Sequence, residues 1–405
     1  MISTIAYLKN PVQQYAWGSK TMIQSLVGLD DLKGTPVAEL WMGAHPKAPS
    51  MVQVNGNKWL PLNEVIKMAP SKILGKDVAT KFGDSLPFLF KLLAAKRPLS
   101  IQVHPNLDQA REGFERENAL HIPLDSPKRN YRDKNHKPEI LCALSPFEAL
   151  KGFRRPEEIV HLMKQVIPSH LADQFNKFCS DPAGQLKDFY SFIMTMERKQ
   201  QKEAVEELVS KAEKCIKKDV AFKWIIRLNN EYPGDIGVIS PVLLNLVRLE
   251  PGQAIYIPAG ELHSYLNGFG IELMANSDNV LRGGLTPKHV DVEELLRIVD
   301  FRATEVAVIE PESVNTKERS YLTPAREFLL SVISLKKGDK YKSPQNRSVE
   351  ILICTEGELV IQDHAVTRPL NRGQAVIVPA VVSDYRVEGA GVVYKASTCQ
   401  RGVPV

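Results

Sequence analysis

Between residues 154 and 235 apolar positions recur at helical spacing. Ile159, Val160, Leu162, Met163 and Val166 follow Pro156, which suits a first helical turn. Leu186, Phe189, Tyr190 and Ile193 repeat the spacing, and the charged run 202–218 keeps Val205, Leu208, Val209 and Ala212 on one face. The pattern predicts a helical domain of several helices, whose charge runs read as solvated faces. On either side the rhythm shortens. Phe88-Leu89-Phe90 and the run 99–103 are brief apolar stretches bounded by turn residues, and they predict strands. Short helices are expected over 63–67 and 112–119. From Ile236 onward the pattern predicts short strands again.

Two segments in this last region repeat each other. Gly252-Gln253-Ala254-Ile255-Tyr256-Ile257-Pro258-Ala259 resembles Gly373-Gln374-Ala375-Val376-Ile377-Val378-Pro379-Ala380. Each has a glycine turn, an apolar strand and a proline stop, as in an all-β barrel, which predicts two related β domains. The length of 405 residues allows two to four domains.

Charge changes the picture little. With 52 basic and 47 acidic side chains the net charge is +5, too balanced to indicate nucleic acid, though local positive charge suits a small anionic substrate. The first twenty residues lack the basic and long apolar segments of a secretory signal, and no run approaches the roughly 18 apolar residues that span a bilayer. The five cysteines are scattered and form no CxxC pair, which fits a reducing cytoplasm and leaves any metal to His, carboxylate or amide ligands.

The first repeat continues into Ala259-Gly260-Glu261-Leu262-His263-Ser264-Tyr265-Leu266-Asn267. The whole run, G-x5-P-x-G-x2-H-x3-N, resembles the second motif of the cupin superfamily, where the His is a metal ligand inside a β-barrel. The second repeat has Val382-Ser383-Asp384 at the His region, so one metal-bearing and one structural cupin are expected. Gln102 and His104 lie two apart on a predicted strand and can face the same way. Glu139 could add a carboxylate. Two imidazoles, a carboxylate and an amide oxygen suit zinc, with manganese, iron or cobalt also compatible.

The segment Tyr131-Arg132-Asp133-Lys134-Asn135-His136-Lys137-Pro138-Glu139 and the long run from His263 to Lys288 resemble the two motifs of the type I phosphomannose isomerase family. The second includes Glu272, Met274, Ser277-Asp278-Asn279, Arg282 and Thr286-Pro287-Lys288. Ser264 and Gly283 depart from the family's usual alanines. Further resemblance lies in Tyr15-Ala16-Trp17-Gly18, in 38–46 and in 86–91, so the likeness spans nearly the whole chain.

This resemblance implies a mainly β fold of two cupin (jelly-roll) β-barrels with an inserted α-helical domain. The expected division is 1–153 as the first part of the catalytic cupin and 154–235 as the helical domain. Residues 236–308 would form the rest of the catalytic cupin, and 309–405 a degenerate C-terminal cupin. The implied activity is zinc-dependent interconversion of mannose 6-phosphate and fructose 6-phosphate through an enediol, with one Zn2+ per chain on Gln102, His104, Glu139 and His263. Arg282 becomes the active-site arginine, and Lys91, Ser100, Lys137, Glu272 and Lys288 line the pocket.

Lys137 is the proton-shuttle candidate. Lys91, Ser100, Lys288 and Arg282 are candidates for the phosphate. The base is open between Glu272, a zinc-bound hydroxide and, last, His104, while a Glu272–Arg282 ion pair is the structural reading of that carboxylate. Trp17 is a sugar-stacking candidate beside Trp41, with core packing as the competing role. The expected partner is a sugar phosphate, with no nucleic acid, no membrane and a monomeric state. The competing functions are a non-catalytic sugar-binding cupin and a metal-dependent cupin dioxygenase. A nucleotidyltransferase role lacks its Gly-rich domain.

Overall fold

A computed structural model of the chain describes residues 2–54, 56 and 58–399. The described strands form a ten-stranded and an eleven-stranded sheet, with most of the helices inserted between strands of the former.

The ten-stranded sheet is organised by the strand His263–Ala275. Its second half pairs antiparallel with Phe88–Ala95 on one side and Glu139–Ala143 on the other. Its first half pairs with Gln102–Val103 and Phe147–Phe153. One long strand thus feeds two half-sheets, and the change of partners falls at Gly268. There φ is +139°, and an added Cβ would stand 2.5 Å from the Phe147 ring, so only glycine permits the approach. Phe88–Ala95 is buried at every position because both its faces are covered, which is why its sequence reads as one apolar run broken by a single charge, Lys91.

The eleven-stranded sheet collects the C-terminal strands but also takes in the beginning of the chain. Ala6–Lys9 pairs with Ala375–Val378 on one side and with Met51–Val54 on the other, and Lys58–Pro61 follows at the edge. Residues 6–9, 51–54 and 58–61, expected in the first part of the catalytic cupin, therefore lie in the sheet of the C-terminal strands. One core contains Phe88, Phe90 and Ile140 from the first sheet together with Ile351, Ile377 and Leu330 from the second.

The helical region contains Pro156–Val166, Ala172–Ser180, Leu186–Thr195, Arg198–Cys215 and Val220–Glu231. Pro156 occupies the first turn, where its missing N–H costs nothing. Asp219 caps the last of these helices by accepting from the Ala221 N–H at 2.8 Å. The predicted return to strands at Ile236 is corrected. Ile236–Ile239 is a 3-10 turn and Ser240–Leu243 a helical turn, and strand begins only at Leu244. This run is apolar and wholly buried, so it carries no period by which to tell the two states apart. The helices pack on the site-bearing strands: Phe189, Trp224 and Leu228 share a core with Val103, Tyr131, Leu262 and Leu281. Each such fully buried side chain contributes roughly 1.5–3 kcal/mol. Among the described residues no helix is long and apolar enough to cross a membrane.

Candidate metal centre

Three side chains, two from separate strands and one just past a third, meet in the ten-stranded sheet. His104, Glu139 and His263 are buried, and one donor atom from each lies within 4.8 Å of the others. His104 Nε2 is 3.3 Å from Glu139 Oε1, and His263 Nε2 is 3.6 Å from Glu139 Oε2. Register brings them together. His263 opens its strand opposite Gln102, Glu139 opens its own opposite Met274, and His104 lies one residue past Val103.

Both imidazoles are oriented by backbone. His104 Nδ1 stands 2.8 Å from the Asn279 carbonyl and His263 Nδ1 3.0 Å from the Glu261 carbonyl. A ring nitrogen facing a carbonyl carries the proton, so both Nε2 lone pairs are turned toward Glu139. Burial, joined by Lys137, lowers the His104 pKa against the pull of Glu139. Burial and His104 bring His263 down to about 4. Burial would raise Glu139, but Lys137 and His104 hold it well below the usual carboxylate range. Two neutral imidazoles and an ionised carboxylate suit a divalent cation.

A cavity of about 60 Å³ adjoins these groups, lined by Gln102, Glu139 and His263 with Lys91, Ser100, Lys137, Tyr265 and Glu272. The Gln102 amide nitrogen donates weakly to Ser100 Oγ at 3.4 Å, so its carbonyl oxygen is the end that can serve a cation. Lys137 faces inward with Glu139, as the two-residue spacing requires. Its Nζ is 2.7 Å from Glu139 Oε1 and 3.5 Å from His104 Nε2.

Glu272 does not pair with Arg282. Its partner is Lys91, at 2.7 Å, whose Nζ also reaches Glu39 at 3.5 Å. The register explains this: Glu272 stands directly opposite Lys91, whereas Arg282 stands opposite Gln102. For Lys91 burial alone would lower the pKa, but Glu272 and Glu39 outweigh it and keep the ammonium charged. Burial raises Glu272, Lys91 opposes that, and Glu139 adds to it. Tyr265, which sequence reasoning missed, donates to Glu139 Oε2 at 3.3 Å. The carboxylates of Glu39, Glu139 and Glu272 outnumber the ammonium groups of Lys91 and Lys137 by one. Such a buried excess of negative charge favours a cation.

A second group of cations is also present. Burial and then Arg132 lower the Arg282 pKa. Lys288, although it reaches solvent, is lowered by desolvation and then by Arg282 and Arg132. These cations perturb one another, as expected where an anion is to be received. Arg132 was not singled out from the sequence. Trp17 does not line the cavity: it is half-buried, stacked on Tyr15 at 5.7 Å, and packs on a core containing Phe147. Trp41 is buried, and its Nε1 donates to Glu39 at 2.9 Å.

The two long motifs lock together. The fully buried Asn279 accepts from the Arg132 N–H at 2.6 Å and donates to the Asp133 and Asn135 carbonyls, each at 2.8 Å. Asp133 accepts from Ser277 Oγ and from the Asp278 N–H. The loop bearing Lys137 is thereby tied to the carbonyl that orients His104. A larger cavity of about 610 Å³, lined by His45, Lys47, Arg132, Ser277 and Asp278 among others, contains none of the three converging ligands.

Comparison with known proteins agrees with this geometry. Family profiles described as the catalytic domain and the helical insertion domain of type I phosphomannose isomerase match residues 5–156 and 162–244. A mannose-6-phosphate isomerase cupin-domain profile matches 317–396. The mannose-6-phosphate isomerase of Escherichia coli (strain K12) is 41% identical over 388 residues, 95% of this chain and 97% of its own. The chain belongs to the type I phosphomannose isomerase family. The human mannose-6-phosphate isomerase is 32% identical over 399 residues, covering 91% and 92% of the two chains. Among solved structures, a single-residue mutant of the Salmonella typhimurium family member superposes with a TM-score of 0.92 at 37% identity, covering 98% of this chain and all of that one. A zinc-bound mannose 6-phosphate isomerase superposes at 0.90 with 36% identity, covering 98% and 100%.

The second cupin segment of this family member keeps two of the carboxylate positions, reverses the charge at a third and has the uncharged Ser331 at the place of Lys91. Ile257 pairs with Glu139, and its repeat counterpart Val378 pairs with Glu350. Counting along the ladders, Lys395 takes the place of Glu272 and Glu318 that of Glu39. Glu318 and Glu350 are met by Lys395, and Glu350 also by Arg347. Two carboxylates face two cations, so this node is neutral without a metal.

Proposed function

We propose that this chain interconverts D-mannose 6-phosphate and D-fructose 6-phosphate with one zinc ion held by Gln102, His104, Glu139 and His263. The convergence of His104, Glu139 and His263 carries the reading, and family members crystallised with zinc support it. Zinc, when bound, would supply an electrophile for the sugar oxygens.

Glu272 lines the cavity and is the carboxylate suited to moving a proton between C1 and C2. Its raised pKa strengthens it as a base, and Lys91 keeps it ionised. Lys137 is placed to pass a proton between O1 and O2 as the carbonyl migrates. Arg282 and Lys288, joined by Arg132, receive the phosphate, with Ser100 as a further donor. Lys91, engaged by two carboxylates, sets the charge of Glu272 rather than holding phosphate. Trp17 supports the wall behind the cavity by packing on the core that contains the lining residues Leu93 and Tyr265. The five free cysteines support a reducing cytoplasmic setting. The sugar-phosphate chemistry supports a place in mannose metabolism, including the supply of GDP-mannose biosynthesis, for a monomeric enzyme.

Zinc-loaded protein is expected to interconvert the two sugar phosphates. His263→Ala or chelation is expected to abolish both the bound metal and the activity, read by elemental analysis and a coupled assay. Isomerisation that persists in a metal-free His263→Ala protein would overturn the zinc assignment. A zinc-loaded wild type without isomerase activity would point to a sugar-binding cupin, and substrate-dependent oxygen uptake to a dioxygenase.

A further inference from the structure

The segment 135–139 presents two faces to two different parts of the molecule. Lys137 precedes Pro138, which restricts it to extended backbone, and the ladder continues back to Pro138, whose carbonyl accepts from the Ala275 N–H at 3.0 Å. Neighbouring side chains of an extended segment point to opposite sides. Lys137 and Glu139 face the metal cluster, and His136 faces away. His136 Nε2 meets Glu327 Oε1 at 2.8 Å.

Glu327 belongs to the C-terminal cupin segment, on the loop between the strands Glu318–Tyr321 and Leu329–Leu335. That loop is held by Ala325 and Phe328, which are buried in the core shared by both sheets. The second oxygen of Glu327 accepts from the Arg326 N–H at 3.1 Å, which orients the carboxylate. On the near side the His136 N–H donates to Asn135 Oδ1 at 3.1 Å, and Asn135 donates to the Asn276 carbonyl at 3.3 Å. His136 therefore has a fixed backbone and a fixed partner 191 residues away in the chain.

We propose that Glu327 is a positioning residue for the isomerisation: by holding His136 outward, the second cupin segment keeps Lys137 turned toward Glu139 and His104. This gives a segment that has lost the ligand histidine a part in the chemistry of the first. The inference rests on the role given to Lys137 in the proposed function. Small displacements of a reacting group cost about a hundredfold in rate, so an effect of about ten- to a hundredfold on kcat is expected.

The test uses the full-length, zinc-loaded protein. Glu327→Leu fills the same space without an acceptor. It is expected to lower kcat while KM and zinc content stay near wild type. Glu327→Gln keeps an acceptor oxygen and is expected to lose less. In a His136→Ala background neither change is expected to cost anything more. Wild-type kcat in Glu327→Leu, or an equal loss with and without His136, overturns the proposal. Should Glu327→Leu fail to fold, Glu327→Gln and the His136→Ala pair carry the comparison: a Glu327→Gln loss that persists undiminished without His136 overturns it, and so does wild-type kcat in both single variants. Loss of activity in Lys137→Ala with full activity in Glu327→Leu sinks the positioning role alone. Full activity in Lys137→Ala sinks the assignment on which it rests.

Discussion

Two histidines are kept uncharged here mainly by burial, against the pull of Glu139 and of the backbone carbonyl that each Nδ1 faces; the carbonyl fixes the tautomer and leaves Nε2 free for a cation. Asp278 shows the reverse case. Burial would raise its pKa, but Lys47 at 2.7 Å and His45 at 3.5 Å drive it well below the usual range. Its folded pKa lies under the unfolded value of about 4, so its stabilisation is complete above that pH and fades as pH falls. Asp278→Asn is expected to cost about 1–3 kcal/mol at neutral pH. The gap to wild type should begin to narrow below about pH 4 in urea titrations, because there the unfolded chain takes up a proton at this aspartate while the folded one stays charged. The two departures from the family's alanines are explained by their surroundings. Ser264 Oγ donates to the Leu99 carbonyl at 2.7 Å, and at Gly283 a Cβ would sit 3.2 Å from the Tyr190 hydroxyl.

At the scale of elements, the helix Leu107–Ala119 supports the motif loop. It opens with a reciprocal Asn106–Gln109 cap and lays Gly113 against Tyr131, the first residue of that loop. A Cβ at 113 would lie 2.4 Å from the Tyr131 ring. Gly113→Ala gains about 1 kcal/mol of helix propensity but must displace a ring whose hydroxyl donates to Glu294 at 2.5 Å. Overpacking of this kind costs about 1–3 kcal/mol. The variant is expected to melt lower and to lose kcat through the loop, by calorimetry and steady-state assay. Elements with a clear period were legible beforehand: the helix at Pro156, the strand at Phe88 and the repeated strands Ala254–Ile257 and Ala375–Val378. The run 99–103 was less so. Only Gln102–Val103 counts as strand, because Leu99 and Ile101 give their N–H groups to Tyr265 and Gly284 in separate segments.

The whole molecule is held by pairings that sequence distance conceals. Because Ala6–Lys9 completes the C-terminal sheet and both sheets share one core, a chain ended at residue 308 leaves that strand and the Phe88–Ile140 face uncovered. Such a truncation is expected to aggregate or to lack a cooperative unfolding transition, judged by size-exclusion chromatography and circular dichroism. A soluble, zinc-binding 1–308 fragment would refute that dependence. The charged nodes differ at this scale as well. The first needs a cation to balance its carboxylates, and the second carries its own in Lys395 and Arg347.

Local order alone determined the helices and strands that carry a clear period, the repeated strand, and His104, Glu139 and His263 as candidates to converge, because period, turn residues and motif spacing are written in consecutive positions. Only the tertiary structure decided which charges meet. Glu272 takes Lys91 instead of Arg282, Arg132 joins the cationic group, and Glu327 reaches His136. Each of those contacts depends on strand register and on which loops pack together, and both are settled by burial of shared apolar faces across hundreds of residues rather than by any local pattern.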